Sequence, residues 1–445
     1  MKRRTLALLL TAAMVISCLA GCGGQSEPPA QSPAPEPASP ASQAPETPQE
    51  PGAKYAVTEP VTIEFWYAGS GNEEFYNQVA EEFNSSQDKV TVVPVCGGNY
   101  ASINEQIIGA QAAGTGLPGI SVVNYSTLPN YVQSGVAEPL DDYLADYQVD
   151  MNDYIPGFLS VGNYDGVQFG MPHGVSCFVY YYNKDILKEK NLPDFPTTWD
   201  EFKTWAMEVH KATGKPAYLM AANEKTVNYN MMQNFGGTFI KEDNTTGLDA
   251  ETLKTHMREM KELIDAGAVE WSLDSSDILS SKFINGEVVS YNLSCTSYSK
   301  FIQNDFDVGI AWNFKSEDNI STVTGSYLFI PAANDQNVKN AGFAFLNYLC
   351  TPDVNYRWAK FSSYLTSCNS VFNDEQKMAD IYTALPEMRN VYGNSDKMVS
   401  KPKTTKYDSG IKAYYTALSK IYLEGADFDP TWDAMVEEVN YILSD

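Results

Sequence analysis

The sequence predicts an α/β fold divided into two lobes. Three observations lead there. Short β-rich runs alternate with amphipathic helices from Val61 onward, the stretch from about Tyr55 to Asp445 is long enough for two domains of ordinary size, and no internal repeat is visible.

The first β-rich run is Val61-Thr62-Ile63-Glu64-Phe65-Trp66-Tyr67, and Ala68-Gly69-Ser70-Gly71 ends it. Glu73 to Asn84 follows as a helix, with Phe75, Val79 and Phe83 on one face at i, i+4 and i+8. Val90 to Val95 is a second β-branched run, Ile103 to Ala113 reads as helix, and Ile120 to Val123 as a buried strand. Strand, helix, strand, helix, strand in that order implies parallel pairing. The alternation resumes with the aromatic strand Phe178 to Tyr182. Thr198-Trp199-Asp200-Glu201 then opens a helix, Thr198 capping it and Glu201 completing a capping box. Leu253 to Ala266 is a long amphipathic helix with Met257, Met260, Leu263 and Ile264 on its apolar side. Val308 to Ala311 and Tyr327 to Ile330 read as strands, and Gly342 to Leu349 as a helix.

The first fifty residues belong to neither lobe. Lys2, Arg3 and Arg4 precede an apolar stretch from Leu6 to Leu19, too short to span a membrane stably, so residues 1–21 read as a secretory signal. Leu19-Ala20-Gly21-Cys22 resembles the bacterial lipobox, which implies cleavage before Cys22, acylation of its thiol and a lipid anchor on the outer face of the cytoplasmic membrane. Two or more acyl chains hold a protein durably, at about 0.8 kcal/mol per buried CH₂. Residues 22–54 are then expected to form a disordered tether. Its Gly, Ser, Gln, Ala, Glu and repeated Pro bury too little apolar surface to offset chain entropy.

Lys and Arg number 30 against 56 Asp and Glu, a formal charge of −26; loss of the signal, with three cations and no anions, makes it −29. A surface of that sign repels nucleic acid and anionic membrane, and no basic cluster offsets it. With Cys18 lost in the signal and Cys22 acylated, Cys96, Cys177, Cys295, Cys350 and Cys368 remain, an odd number without Cys-x-x-Cys spacing, which is neither a disulfide framework nor a zinc site. A single bridge, Cys350 to Cys368, stays open beside the reading of isolated Cys as small buried apolar residues.

Catalytic and cofactor signals are weak. Gly114-Thr115-Gly116-Leu117-Pro118-Gly119 has G-x-G-x-x-G spacing, but a dinucleotide loop follows a strand and opens a helix, whereas this one follows a helix. Pro118 also removes an amide donor, so these glycines are expected to end the preceding helix and turn the chain. There is no P-loop and no nucleophile elbow. His173, His210 and His256 share no metal-ligand spacing; His173 lies in a Pro-His-Gly turn, where it faces either the cleft or the core. Acidic pairs such as Glu73-Glu74 and Asp141-Asp142 sit near helix starts, where the macrodipole explains them better than glycosidase chemistry does. No enzyme, cofactor or metal is expected.

The segments taken together resemble the extracellular solute-binding proteins (family 1) of bacterial ABC importers, in the group serving sugars and glycerol 3-phosphate. Ile63-Glu64-Phe65-Trp66-Tyr67 looks like the family's first strand, Glu82-Phe83-Asn84 its next helix end, and Gln111 to Pro118 its small-residue stretch. Ala137 to Asp142 looks like its Pro-Leu-Asp segment. Tyr181-Tyr182-Asn183-Lys184-Asp185 followed by Pro196 to Glu201 is the strongest block, and Phe283-x-x-Gly286 and Tyr364-Leu365 complete the set. The resemblance implies the periplasmic-binding-protein type II fold: two lobes, crossing hinge strands and a ligand cleft between them, with a membrane permease as partner. Carried over, lobe 1 is 55–173 plus 312–366, and lobe 2 is 174–311 plus 367–445.

The likeness is greater to binders of glycerol 3-phosphate and glycerophosphodiesters. Tyr100, in Gly98-Asn99-Tyr100, and Ser176, Gly325 and Tyr364 fall on positions that contact ligand there. Two departures stand out. The family's cleft Glu appears here as Tyr125, and near Gly410-Ile411-Lys412, where an Arg grips phosphate, this chain offers Lys412. Arg forks bidentately onto phosphate and Lys supplies a point charge, so the exchange is not neutral. The residues themselves also suit a sugar, whose C–H faces pack on aromatics and whose hydroxyls need polar partners. Trp66, Tyr67, Tyr125, Tyr229, Tyr298 and Tyr327 sit near strand ends or loops, with Asn99, Asn124, Asn228 and Ser294 close by in sequence. The expected activity is capture of a neutral or weakly anionic carbohydrate. A glycerophosphoryl compound comes second, and a surface glycan-active enzyme or an adhesin are the rivals from other classes.

Overall fold

The computed structural model describes Glu50 to Ser444, so the signal sequence, Cys22 and the tether up to residue 49 lie outside the described residues. The described chain begins five residues before Tyr55. Gly52 N–H donates to the Asp146 carbonyl and Lys54 N–H to the Asp146 carboxylate, which fastens the tether's last residues to the first lobe.

Two five-stranded sheets organise the molecule. In the first, the strands run in the order Val90–Cys96, Val61–Tyr67, Ile120–Asn124, Thr324–Phe329, Met171–Ser176. Val61–Tyr67 is parallel to both its neighbours, as the strand–helix alternation predicts, and Thr324–Phe329 runs antiparallel between the last two. In the second sheet the order is Val308–Ala311, Phe178–Asn183, Ser290–Ser294, Tyr218–Ala221, Val269–Ser272.

Strand alternation assigns the two main apolar clusters to opposite faces of the second sheet. Val179, Tyr181, Leu219 and Ala221 join the cluster that fills the first lobe, while Phe178, Tyr180, Tyr218 and Met220 join the one beneath helices Trp199–Thr213, Glu251–Asp265 and Tyr407–Leu423. Those helices keep the predicted local chemistry. Thr198 and Glu201 form the capping box, and Met257, Met260 and Leu263 are buried. Gly114, at φ 68°, is the left-handed C-cap of helix Tyr100–Ala113, the role expected of the glycine-rich loop.

The chain passes between the sheets at closely grouped places. Cys177 alone separates strand Met171–Ser176 of the first sheet from Phe178–Asn183 of the second. Residues 312–323 lead back, and within them Ser321-Thr322 pairs in parallel with Met398-Val399. Ser321 Oγ donates to the Phe178 carbonyl at 2.8 Å and so ties the first two passages together. Residues 369–392 hold to both lobes: Lys360 pairs with Asp380 on one side, while Glu387 takes Lys184 Nζ at 2.6 Å and the Ile310 amide at 3.1 Å on the other.

A cleft where two sheets meet

The carboxyl ends of strands Ile120–Asn124 and Met171–Ser176, and of Tyr218–Ala221 and Ser290–Ser294, converge on one cavity of about 340 Å³. Such strand ends leave backbone and short side chains facing a crevice, the usual ligand position of open α/β sheets. The first lobe contributes Tyr100, Asn124, Tyr125, Ser126, Ser176, Thr324, Gly325 and Tyr364. Across from them stand Phe178, Glu224, Lys225, Thr226, Ser294, Thr296, Tyr407 and Asp408.

Hydroxyl pairs dominate the wall. Ser176 Oγ and Thr324 Oγ1 are 2.9 Å apart, Ser294 Oγ and Thr296 Oγ1 also 2.9 Å, and the Tyr100 and Tyr364 hydroxyls 3.0 Å. Asn124 Oδ1 accepts from both the amide and hydroxyl of Ser126. Tyr364 lies flat on Trp358, ring centroids 5.6 Å apart, and Trp358 is stacked in turn on His173. One bond spans the cleft: Tyr125 Oη lies 3.0 Å from Thr226 Oγ1. Burial raises the Tyr364 and Tyr125 hydroxyl pKa values above the ordinary phenol value, so both groups stay protonated donors.

Charge in the cleft is nearly balanced. Lys225 pairs with Asp408 at 2.9 Å, and Glu224, raised by burial, accepts from the Thr226 amide at 3.1 Å. Among the described residues no cluster of His, Cys, Asp or Glu suits a metal ion, and no helix is long and apolar enough to cross a membrane.

Of the residues singled out from sequence, the structure brings Tyr100, Asn124, Tyr125, Ser176, Ser294, Gly325 and Tyr364 to this cavity. Trp66, Tyr67, Tyr229 and Lys412 lie elsewhere. Strand Val61–Tyr67 has a neighbour on each side, and Trp66 and Tyr67 at its end are both buried, Trp66 Nε1 donating to Glu64. Tyr229 packs on Phe239 and Tyr407 in the second core. Lys412 is exposed because Ile411, Ala413 and Tyr414 take the buried face of its helix. His173 sits in a strand rather than a turn, 1% exposed, and burial drives its pKa down to about 3. Cys177, Cys295, Cys350 and Cys368 are buried free thiols, and Cys96 is exposed.

Sequence reasoning missed Glu224, Lys225 and Thr226 because it did not find the strand Tyr218–Ala221 that ends just before them. Thr296 and Thr324 were within reach, two residues after Ser294 and one before Gly325. A larger hollow of about 630 Å³ runs along Pro193 to Glu208, but it is lined from the second lobe alone. Its Asp200 is paired with Lys203, and Glu201 serves the capping box.

This arrangement, two α/β lobes with a polar, aromatic-walled cleft at the strand ends, is that of a solute receptor. Residues 78–390 match the family of bacterial extracellular solute-binding proteins, and the chain belongs to that family, which is one of binding proteins rather than enzymes. The chain spans about half the length of the first curated relatives it matches. Among these is the arabinooligosaccharide-binding protein of Bacillus subtilis, 23% identical over 205 residues, 46% of this chain and 47% of that protein. The sn-glycerol-3-phosphate-binding periplasmic protein UgpB of Brucella abortus is 24% identical over 356 residues, 75% of this chain and 79% of that one. The structure of UgpB from Mycobacterium tuberculosis, solved with glycerophosphocholine, shares the fold: TM-score 0.76 and 21% identity, covering 86% of this chain and 98% of that one.

Proposed function

We propose that this protein captures a neutral carbohydrate in the cleft and delivers it to the permease of an ABC importer, held at the outer face of the cell membrane by lipid on Cys22. The observation that carries the ligand class is the lining itself. Hydroxyls and aromatic rings come from both lobes, and the cationic residue on the wall, Lys225, is already paired with Asp408. A phosphate entering there would meet Glu224 and Asp408 without a free guanidinium, whereas sugar hydroxyls find both donors and acceptors. In this reading the lobes divide as 55–173 plus 312–366 and 174–311 plus 367–445, except that strand Met171–Ser176 goes whole to the first lobe with its sheet, and a ligand touching both shifts the population toward closure.

Thermal unfolding of the full chain against arabinooligosaccharides, maltose, glycerol 3-phosphate and glycerophosphocholine tests the ligand class. A bound solute at a hundred times its Kd adds about 2.7 kcal/mol of stability. The expected result is a shift with a carbohydrate. A shift with glycerophosphocholine or glycerol 3-phosphate alone selects the second reading, which is favoured by one observation: Tyr100, Ser176, Gly325 and Tyr364, matched to glycerophosphoryl binders in sequence, share one wall.

The anchor is tested separately. Cys22→Ala is expected to move the protein from the membrane to the soluble fraction while leaving the ligand-induced melting shift intact. Retention at the membrane would reject the anchor, and loss of the shift would reject the independence of anchoring and binding.

A further inference from the structure

Behind the cleft wall, Lys401 lies between two aromatic rings. Its Nζ is 4.7 Å from the centre of the Tyr125 ring and 4.5 Å from that of Tyr407. Tyr125 follows a strand of the first sheet and Tyr407 opens a helix of the second lobe, and both line the cavity. The segment carrying Lys401 is itself fixed. Ser400 Oγ lies 3.2 Å from Ser160 Oγ, and Lys403 Nζ donates to the carbonyls of Ser160 and Asn163 at 2.7 and 2.5 Å. Lys403 also faces the Tyr164 ring. Lys401 is thus delivered from a strap pinned to the first lobe.

Among the described residues this lysine has no carboxylate of its own. The acid acting on it, Asp408, is engaged by Lys225. Burial pulls its pKa down from the ordinary lysine value to about 8, so holding the charge at neutral pH works against folding. Two ring faces partly compensate, since a desolvated cation over an aromatic is attracted by its quadrupole. Packing alone would be served better by an apolar side chain of the same length.

We propose that Lys401 is a positioning residue of the cleft: its ammonium clamps the Tyr125 and Tyr407 rings and thereby holds Tyr125 in hydrogen-bonding reach of Thr226, tying the lobes together before any solute enters. The proposal rests on the cleft reading but not on the identity of the ligand. Tyr125 is fixed at its backbone by the bond from its amide to the Gly325 carbonyl at 3.0 Å, so only its ring needs the clamp. Dissolving the clamp frees the ring, breaks the Tyr125–Thr226 bond and loosens the start of helix Lys225–Asn234.

The test is hydrogen exchange on the ligand-free full chain, comparing the wild type with Lys401→Met and Lys401→Arg. Melting temperatures are recorded in parallel. Lys401→Met is expected to fold with an unchanged or higher melting temperature, yet to exchange amides in residues 124–127 and 225–228 at least about tenfold faster. Lys401→Arg, which keeps a cation for the rings, is expected to restore slow exchange. Wild-type exchange in Lys401→Met overturns the proposal. Equal acceleration in both variants does so too, because it assigns the effect to packing rather than charge. A melting temperature lowered in Lys401→Met in step with uniform exchange across the chain also overturns it. Because no ligand is added, none of these outcomes depends on the carbohydrate reading, which stands or falls on the melting shifts.

Discussion

Replacing Gly325 with Ala is expected to destabilise the fold by more than about 4 kcal/mol, or to prevent folding altogether. Gly325 has φ 108°, a backbone region that side chains rarely adopt, and a Cβ built there falls 1.8 Å from the Gly174 carbonyl oxygen. Neither partner is free to retreat. Strand Thr324–Phe329 pairs with Met171–Ser176 on one side and Ile120–Asn124 on the other, with an irregularity at Ser326/Tyr327. The Gly325 carbonyl is meanwhile held by the Tyr125 amide. Making room for one methyl group means unzipping the strand that carries the chain out of the hinge. Denaturant unfolding, or yield of soluble protein if the variant does not fold, measures the effect. A loss below about 1 kcal/mol would show that the backbone here relaxes freely.

Tyr364→Ala has the largest effect expected on binding: at least a tenfold weaker Kd, about 1.4 kcal/mol, for the solute that shifts the melting curve. The side chain closes one wall of the cavity with its ring on Trp358 and its hydroxyl on Tyr100. Its removal takes away a flat apolar surface and unpairs the Tyr100 hydroxyl at once. The fold should survive. The next residue, Leu365, donates its amide to the Val175 carbonyl at 2.7 Å, so the backbone of the wall is held independently of the ring. A stability loss of about 2–3 kcal/mol is expected, below the cost of emptying a fully enclosed aromatic site. Tyr364→Phe keeps the stack and isolates the hydroxyl. Calorimetric titration reads both variants, and unchanged affinity in Tyr364→Ala would remove the residue from the site.

Much of this architecture was legible in the sequence because local signals and tertiary fold agree. The run Val61 to Tyr67, the box at Thr198–Glu201 and the periodicity of Met257, Met260 and Leu263 each report a local preference that packing then uses. The cleft was legible in part, and each miss has its own physical cause. Aromatic residues at strand ends were read as cleft walls, but sequence does not say whether a strand is central. Val61–Tyr67 is, and Trp66 and Tyr67 at its end are buried among their neighbours. For Lys412 the helical phase decided the outcome. One helix face carries Ile411 and Tyr414 into the core, while the cations at the cleft are Lys225 on its wall and Lys401 behind it, the latter eleven residues before Lys412 in an irregular strap without periodicity to read. Glu224 to Thr226 depended on the four-residue strand Tyr218–Ala221, too short to stand out from its surroundings.

The single residue between the sheets, Cys177, also limits how the molecule can move. One residue brings two soft dihedrals, φ and ψ, and no slack length, so at this point the lobes can turn against each other but cannot slide. Motion about it is that of a lever with its fulcrum at the rear of the cavity. A rotation there displaces each wall residue in proportion to its distance from Cys177, so the parts of the cleft farthest from that residue travel most.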